Sequence, residues 1–287
     1  MTPETPETTA LATTVPAVGE STKLANPMAA VAELPGFADA VITPVIMKII
    51  QKTSRETDGS PPGTFKDTLT GQCFRELQIV PLHFQCNPGP RVLFEPGSTF
   101  GSDPLCRSDD GIRPSANARQ PQCELCKNCK QASWANYQKT KKAPPCKEKA
   151  KMLFVERTTG LPYIISFSGR SVQPTKNLLK SIMRLAVMSY SQGIRVALYD
   201  FTVKMKLLDV VDEKGAYYQV QFAEIKRVVN PGEFGPLYQE LVVTRNALIN
   251  TKTEEDEDAS TPGTASQTKP DPTIPDATEV TDEEVPF

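Results

Sequence analysis

One histidine and one tryptophan occur in 287 residues. Any Ser-His-Asp set would have only His83 to draw on. His83 lies in "ELQIVPLHFQ", which reads as a strand, and is taken as a strand residue, not a ligand. The sequence also lacks a glycine-rich phosphate loop and any group of carboxylates at metal-site spacing. A binding protein, not an enzyme, is therefore expected. No apolar run approaches the ~20 residues of a membrane span. The first residues lack the apolar core of a secretory signal. The expected location is the cytoplasm.

Basic charge is scarce at both ends. Residues 251–287 hold 11 acidic residues and 2 lysines, and residues 1–35 hold 4 acidic residues and 1 lysine. The middle, 36–250, holds 29 basic and 19 acidic residues, so a net charge of +10 hides inside an overall −2. A basic body between acidic ends suits a polyanion partner. The ends are rich in Thr and Pro and carry too few apolar side chains to offset the entropy of ordering. Residues 1–35 therefore read as a disordered arm, and 251–287 as a disordered acidic tail.

Within the body, "VITPVIMKIIQ" is apolar and short, a helix or a strand. "ELQIVPLHFQ", "RVLFE", "KMLFVE" and "LPYIISFS" read as strands, the last two around a Thr-Thr-Gly turn. "PTKNLLKSIMRLAVMSYS" reads as a helix with Pro174 near its start and an apolar stripe of Leu178, Ile182 and Leu185. Lys176, Lys180 and Arg184 form a second stripe, read as a solvated face. A long hairpin follows, "VALYDFTVKMKLLDVV" and "AYYQVQFAEIKRVV", then a helix in "FGPLYQELVVTRNALI". The order strand, strand, insert, two strands, helix, hairpin, helix predicts a mainly β (α+β) chain. It suggests an OB-fold-like antiparallel barrel with an insertion near 104–151.

Cys106, Cys123, Cys126, Cys129 and Cys146 fall within that insertion. In a reducing compartment such a cluster reads as metal ligands before disulfides. A tetrahedral Zn²⁺ site wants four thiolates, with pairs separated by two residues so that one turn presents both sulfurs. Cys123 and Cys126 make such a pair, and so do Cys126 and Cys129. The favoured set is Cys106, Cys126, Cys129 and Cys146, with Cys123 spare. Four thiolates leave no open position, so the zinc is expected to be structural, folding a loop too polar to build its own core.

The run from "PLCRSDDGIRP" through "PQCELCKNCKQASW" to "CKEKAKML" resembles a cysteine insert of phage and plasmid-borne single-stranded DNA-binding or replication-associated proteins. That pattern has a cysteine before Ser-x-Asp-Gly, a C-x-x-C shortly before an aromatic residue, and a last cysteine before basic residues. Cys106, Cys126, Cys129, Trp134 and Cys146 match it, and Cys123 lies outside it. The final "DEEVPF", Asp282, Glu283, Glu284, Val285, Pro286 and Phe287, resembles the acidic tip of bacterial single-stranded DNA-binding proteins. That likeness implies docking to replication and repair enzymes, with a partner pocket taking the Phe287 ring and carboxylate together. The two likenesses imply a phage protein that coats single strands in replication, recombination or repair, in the host-cell cytoplasm. The alternative is a zinc-ribbon adaptor or transcription factor on duplex DNA or polymerase.

Binding single strands without sequence preference needs cations along the backbone and aromatic faces for bases. In the hairpin, Phe201, Val203, Met205 and Leu207 share one expected face with Tyr218, Val220 and Phe222. Lys204, Lys206, Tyr217 and Arg227 are expected on the other, as a stacking platform or an ordinary solvated face. The insert adds Trp134, Tyr137, Lys141 and Lys142. Trp134 suits either a base-stacking surface or local cover for the zinc loop, the second being favoured.

Overall fold

The structure, a computed structural model, describes residues 43–52, 59–98, 102–135, 143–212, 215–228 and 230–247. The expected arm, the acidic tail with Asp282 to Phe287, and Tyr137, Lys141 and Lys142 lie outside the described residues.

The two most apolar strands form the centre. β8 (Ala150–Glu156) and β9 (Pro162–Phe167) bury nearly every residue, the signature of strands covered on both faces. Alternate side chains enter two separate cores. Met152, Phe154, Tyr163 and Ile165 join the first, and Leu153, Val155 and Ile164 the second. Glu156 holds the tight turn between these strands, its carboxylate accepting from the N–H groups of Thr158 (3.0 Å) and Thr159 (2.7 Å).

Among the described residues, eight strands form one sheet. Its order runs β11 (Gly215–Arg227), β10 (Phe201–Asp212), β4 (Glu76–Gln85), β8, β9, β1 (Val45–Ile49), β2 (Phe65–Asp67) and β3 (Cys73–Phe74). β1 runs parallel to β9 and the other pairs are antiparallel, so the sheet is mixed. "VITPVIMKIIQ" thus resolves as a strand. Pro81, which has no N–H to give, sits in the middle of β4 where the register with β8 slips between Pro81 and His83.

The sheet curls until β11 approaches the chain just after β1. The Gln51 side-chain amide makes both hydrogen bonds of a strand pair with the Tyr218 backbone: Nε2 donates to the carbonyl at 2.9 Å and Oε1 accepts from the N–H at 2.8 Å. Lys52 pairs with Asp209 at 2.7 Å and lies 5.3 Å from the centre of the Tyr218 ring. A half-barrel is thereby linked across its opening by side chains.

Helix α1 (Val172–Ser191) fills the concave side with Leu178 and Ile182, and Pro174 stands in its first turn. On the other face lie Phe234, Leu237 and Leu241, from α2 (Gly235–Tyr238) and the π-helical turn Gln239–Thr244 that continues it. The segment expected as one regular helix is therefore a short α-turn running into a wider one. β10 begins five residues later than the apolar run at Val196. The cause is Asp200, which is buried: its carboxylate accepts from Ala197 N–H and Gly232 N–H, both at 2.7 Å, tying the approach to β10 to the C-terminal segment.

Candidate metal centre and nucleic-acid interface

The cysteine insertion folds as a lobe around a small second sheet, with β5 (Arg91–Leu93) between β6 (Cys106–Ser108) and β7 (Lys147–Glu148). β6 delivers Cys106 opposite Leu93. Ser108 and Asp110 then build the next turn. The Asp110 carboxylate accepts from Ile112 N–H (2.7 Å) and Arg113 N–H (3.1 Å), and Ser108 Oγ accepts from Gly111 N–H (2.9 Å). Burial works to raise the Asp110 pKa, but these donors and the Ser108 hydroxyl outweigh it and hold the carboxyl below its ordinary value. The turn aims the Ile112 carbonyl at Cys126, whose N–H donates to it at 2.9 Å. That contact docks the tight turn Cys126–Asn128, which presents Cys126 and Cys129 together.

The lobe meets the body through bare backbone. A Cβ on Gly89 would stand 1.9 Å from the Lys149 carbonyl, and one on Gly111 2.1 Å from the Gly89 carbonyl. Gly111 also has φ +73°, so only glycine suits this approach. Glu148 adds an ion pair at 2.7 Å to Lys176 of α1.

All five cysteines of the insertion line one small cavity, together with Arg91, Leu93 and Arg107. Cys106, Cys126 and Cys129 are buried, and Cys123 and Cys146 are half-buried at its edge. Cys123 is therefore part of the cluster, which its position outside the resembling pattern did not suggest. Among the described residues, no three or more His, Cys, Asp or Glu side chains stand as a finished metal-binding group. Sharing one cavity is a looser condition than forming a coordination shell.

Burial is the main reason that the Cys123 thiol is pushed up to about 12. A hydrogen bond with Cys129 and the charge of neighbouring sulfurs add to it. Burial likewise takes Cys146 up to about 11, against the pull of the Arg91 charge. A bound divalent cation displaces such protons.

The residues fit a thiolate-bound cation. Arg91 Nε is buried and has no hydrogen-bond partner, and its side chain lines the cavity. Zinc held by four thiolates carries a net charge of about −2 and sulfur acceptors. Arg91 offers the opposite charge and an N–H donor, the kind of outer partner that holds metal ligands in place. Nothing in the sequence marks Arg91, which lies 15 residues before Cys106 and arrives only by strand pairing.

Of the residues expected to meet nucleic acid, the hairpin residues Lys204, Lys206, Tyr217 and Arg227 have separate surroundings. Lys204 lies between Glu76 (2.7 Å) and Glu224 (3.3 Å). Lys206 is registered opposite Glu76 and Gln221. The Arg170 guanidinium lies over the Tyr217 ring at 4.8 Å, donates to its hydroxyl at 2.6 Å and pairs with Asp212. Arg227 is registered opposite Phe201, on the other side of the ladder from Lys204. An irregularity between Thr202 and Lys204, with Glu224 at φ +50°, shifts the alternation by one residue.

Trp134, by contrast, is 60% exposed. Arg113, Arg119, Lys127, Lys130 and Lys147 of the same lobe are also exposed.

No protein-family model, no curated protein and no solved structure matches this chain. Among the described residues, no helix is long and apolar enough to cross a membrane.

Proposed function

We propose that the chain binds single-stranded DNA through its cysteine lobe, which a structural Zn²⁺ organises. The observation that carries this reading is Trp134, the one tryptophan, 60% exposed on a lobe that also exposes Arg113, Arg119, Lys127, Lys130 and Lys147. An exposed aromatic face among lysines and arginines suits base stacking with backbone neutralisation. A duplex keeps its base faces stacked inside and gives an exposed indole little to hold.

Cys106, Cys126, Cys129 and Cys146 are the proposed ligands, with Arg91 facing the sulfurs. Zinc would supply no chemistry beyond a fixed fold, because four thiolates leave no open position. The curled sheet, with α1 before its last hairpin and a seam at Gln51, supports an OB-like body. On this reading the protein acts in phage replication, recombination or repair within the host cytoplasm, and Asp282 to Phe287 recruits partner proteins.

The test is titration of the purified chain with oligo(dT) and a matched duplex, following Trp134 fluorescence. Quenching with the single strand at lower concentration than with the duplex is the expected result. Equal or tighter binding of duplex would favour a zinc-ribbon adaptor.

A further inference from the structure

Five thiols share a cavity in which a tetrahedral cation takes four. Their burial divides them. Cys106, Cys126 and Cys129 are 9%, 5% and 6% exposed, whereas Cys123 and Cys146 are half-buried at the cavity edge. Each of the three buried cysteines is placed by the lobe itself. Cys106 sits on β6 opposite Leu93, and Cys126 and Cys129 sit on one turn closed by the Cys129 N–H to the Cys126 carbonyl at 3.2 Å.

The two edge thiols reach the same trio from different sides. Cys123 enters along the chain, three residues before Cys126. Cys146 enters from the far end of the insertion, where its N–H donates to the Gln131 carbonyl at 3.0 Å. Both line the same cavity as Cys106, Cys126 and Cys129.

We infer that Cys106, Cys126 and Cys129 form a permanent three-thiolate base for the metal and that Cys123 and Cys146 are interchangeable fourth ligands. This rests on the zinc reading above and changes its ligand set. In the exchange, one Zn–S bond breaks and one forms. The incoming thiol gives up its proton and the outgoing thiolate takes one up, so charge balances and no electrons move. The result is a site that always has one thiol to spare and keeps its metal when either edge sulfur is blocked.

The test uses the full chain and four variants: Cys123→Ser, Cys146→Ser, the double variant, and Cys106→Ser. Cys73→Ser, outside the cavity, is the control. Zinc and iron per chain are measured in reducing buffer. Visible spectra are then taken with cobalt(II) in place of zinc, and far-UV melts check that each variant is folded.

The expected result is one zinc in the wild type and in each single edge variant, with the same four-thiolate cobalt spectrum. Competition with a chelator should show each edge variant loosened only about twofold, since half of the ligand-competent states remain. The double variant and Cys106→Ser should lose the four-thiolate spectrum and most of their zinc. A folded Cys123→Ser or Cys146→Ser that binds no zinc, beside a wild type that does, overturns the exchange and leaves the zinc reading standing. A double variant with full zinc overturns it too. Wild-type protein with no zinc, or with iron in its place, overturns both.

Discussion

All seven residues of β8 are buried, and the strand feeds side chains to two cores. Across 109–135 of the lobe, the only buried residues are Gly111, Cys126 and Cys129. Neither apolar core contains a residue between 87 and 149. The body is thus held as proteins of its size usually are, each fully buried Leu- or Phe-sized side chain contributing about 1.5–3 kcal/mol. The lobe has turns, a small sheet and five thiols. Its fold is specified by local hydrogen bonds, which are worth only about 1 kcal/mol each in net terms. On the zinc reading, a cation shared by four sulfurs would supply what the missing apolar core does not.

The largest effect should come from taking the metal away. Structural zinc contributes roughly 10–16 kcal/mol of apparent binding free energy in small domains at neutral pH. Chelation, or Cys126→Ser, should therefore abolish amide-exchange protection at Cys126 and Cys129 while β8 and β9 keep theirs. Simultaneous loss of protection in both regions would mean that the lobe and the body form one cooperative unit, and the contrast between them would collapse.

The reverse experiment removes core from the body. Phe154 is fully buried and stacks on Tyr163 with ring centres 5.7 Å apart. Phe154→Ala should cost about 3–5 kcal/mol by cavity formation, read from denaturant melts. Zinc per chain should not change. Loss of zinc in a variant still folded at 25 °C would show that the body, not the metal, sets the lobe.

The same contrast governs how much the sequence reveals. β4 runs from Glu76 to Gln85, the stretch read as a strand from its residues alone, because alternation and β-branching are written locally. The cysteine cluster was equally legible, since C-x-x-C spacing is a property of one turn. Three things were not. The tilt of Arg227 away from Lys204 depends on a bulge that strict alternation cannot contain. The covering of Tyr217 by Arg170 joins residues 47 apart. Arg91 reaches the thiols only through the pairing of β5 with β6. Each depends on which strand lies beside which, information that no local pattern carries.

Nucleic-acid contacts offer a finer comparison. Trp134→Ala should weaken single-strand binding by about 1–3 kcal/mol, the usual worth of one stacked base, measured by anisotropy of a labelled oligo(dT). Lys204→Ala should do far less, because Glu76 and Glu224 already hold its ammonium group. The slope of log affinity against log salt should barely move in Lys204→Ala. A larger loss in Lys204→Ala than in Trp134→Ala would transfer the interface from the lobe to the hairpin.

The smallest effect concerns acid and the body alone. His83 is half-buried on β4, registered opposite Leu153, and desolvation lowers its pKa from the ordinary value of 6.5. A neutral imidazole is thus favoured in the folded state, while the unfolded chain takes up the proton near 6.5. Between those two values the unfolded state binds more protons, so stability rises with pH there. The contribution from His83 is complete above pH 6.5 and is lost as pH falls through the lower, folded value. Melting temperatures at pH 7.5 and 5.5 should accordingly drop further in the wild type than in His83→Gln. The difference should be modest, since the ring keeps part of its contact with water and its charge is partly screened. Following β8 amide exchange beside zinc content at each pH assigns the loss to one region. A wild-type drop no larger than that of His83→Gln would show that the imidazole is not the acid-sensitive group of the body.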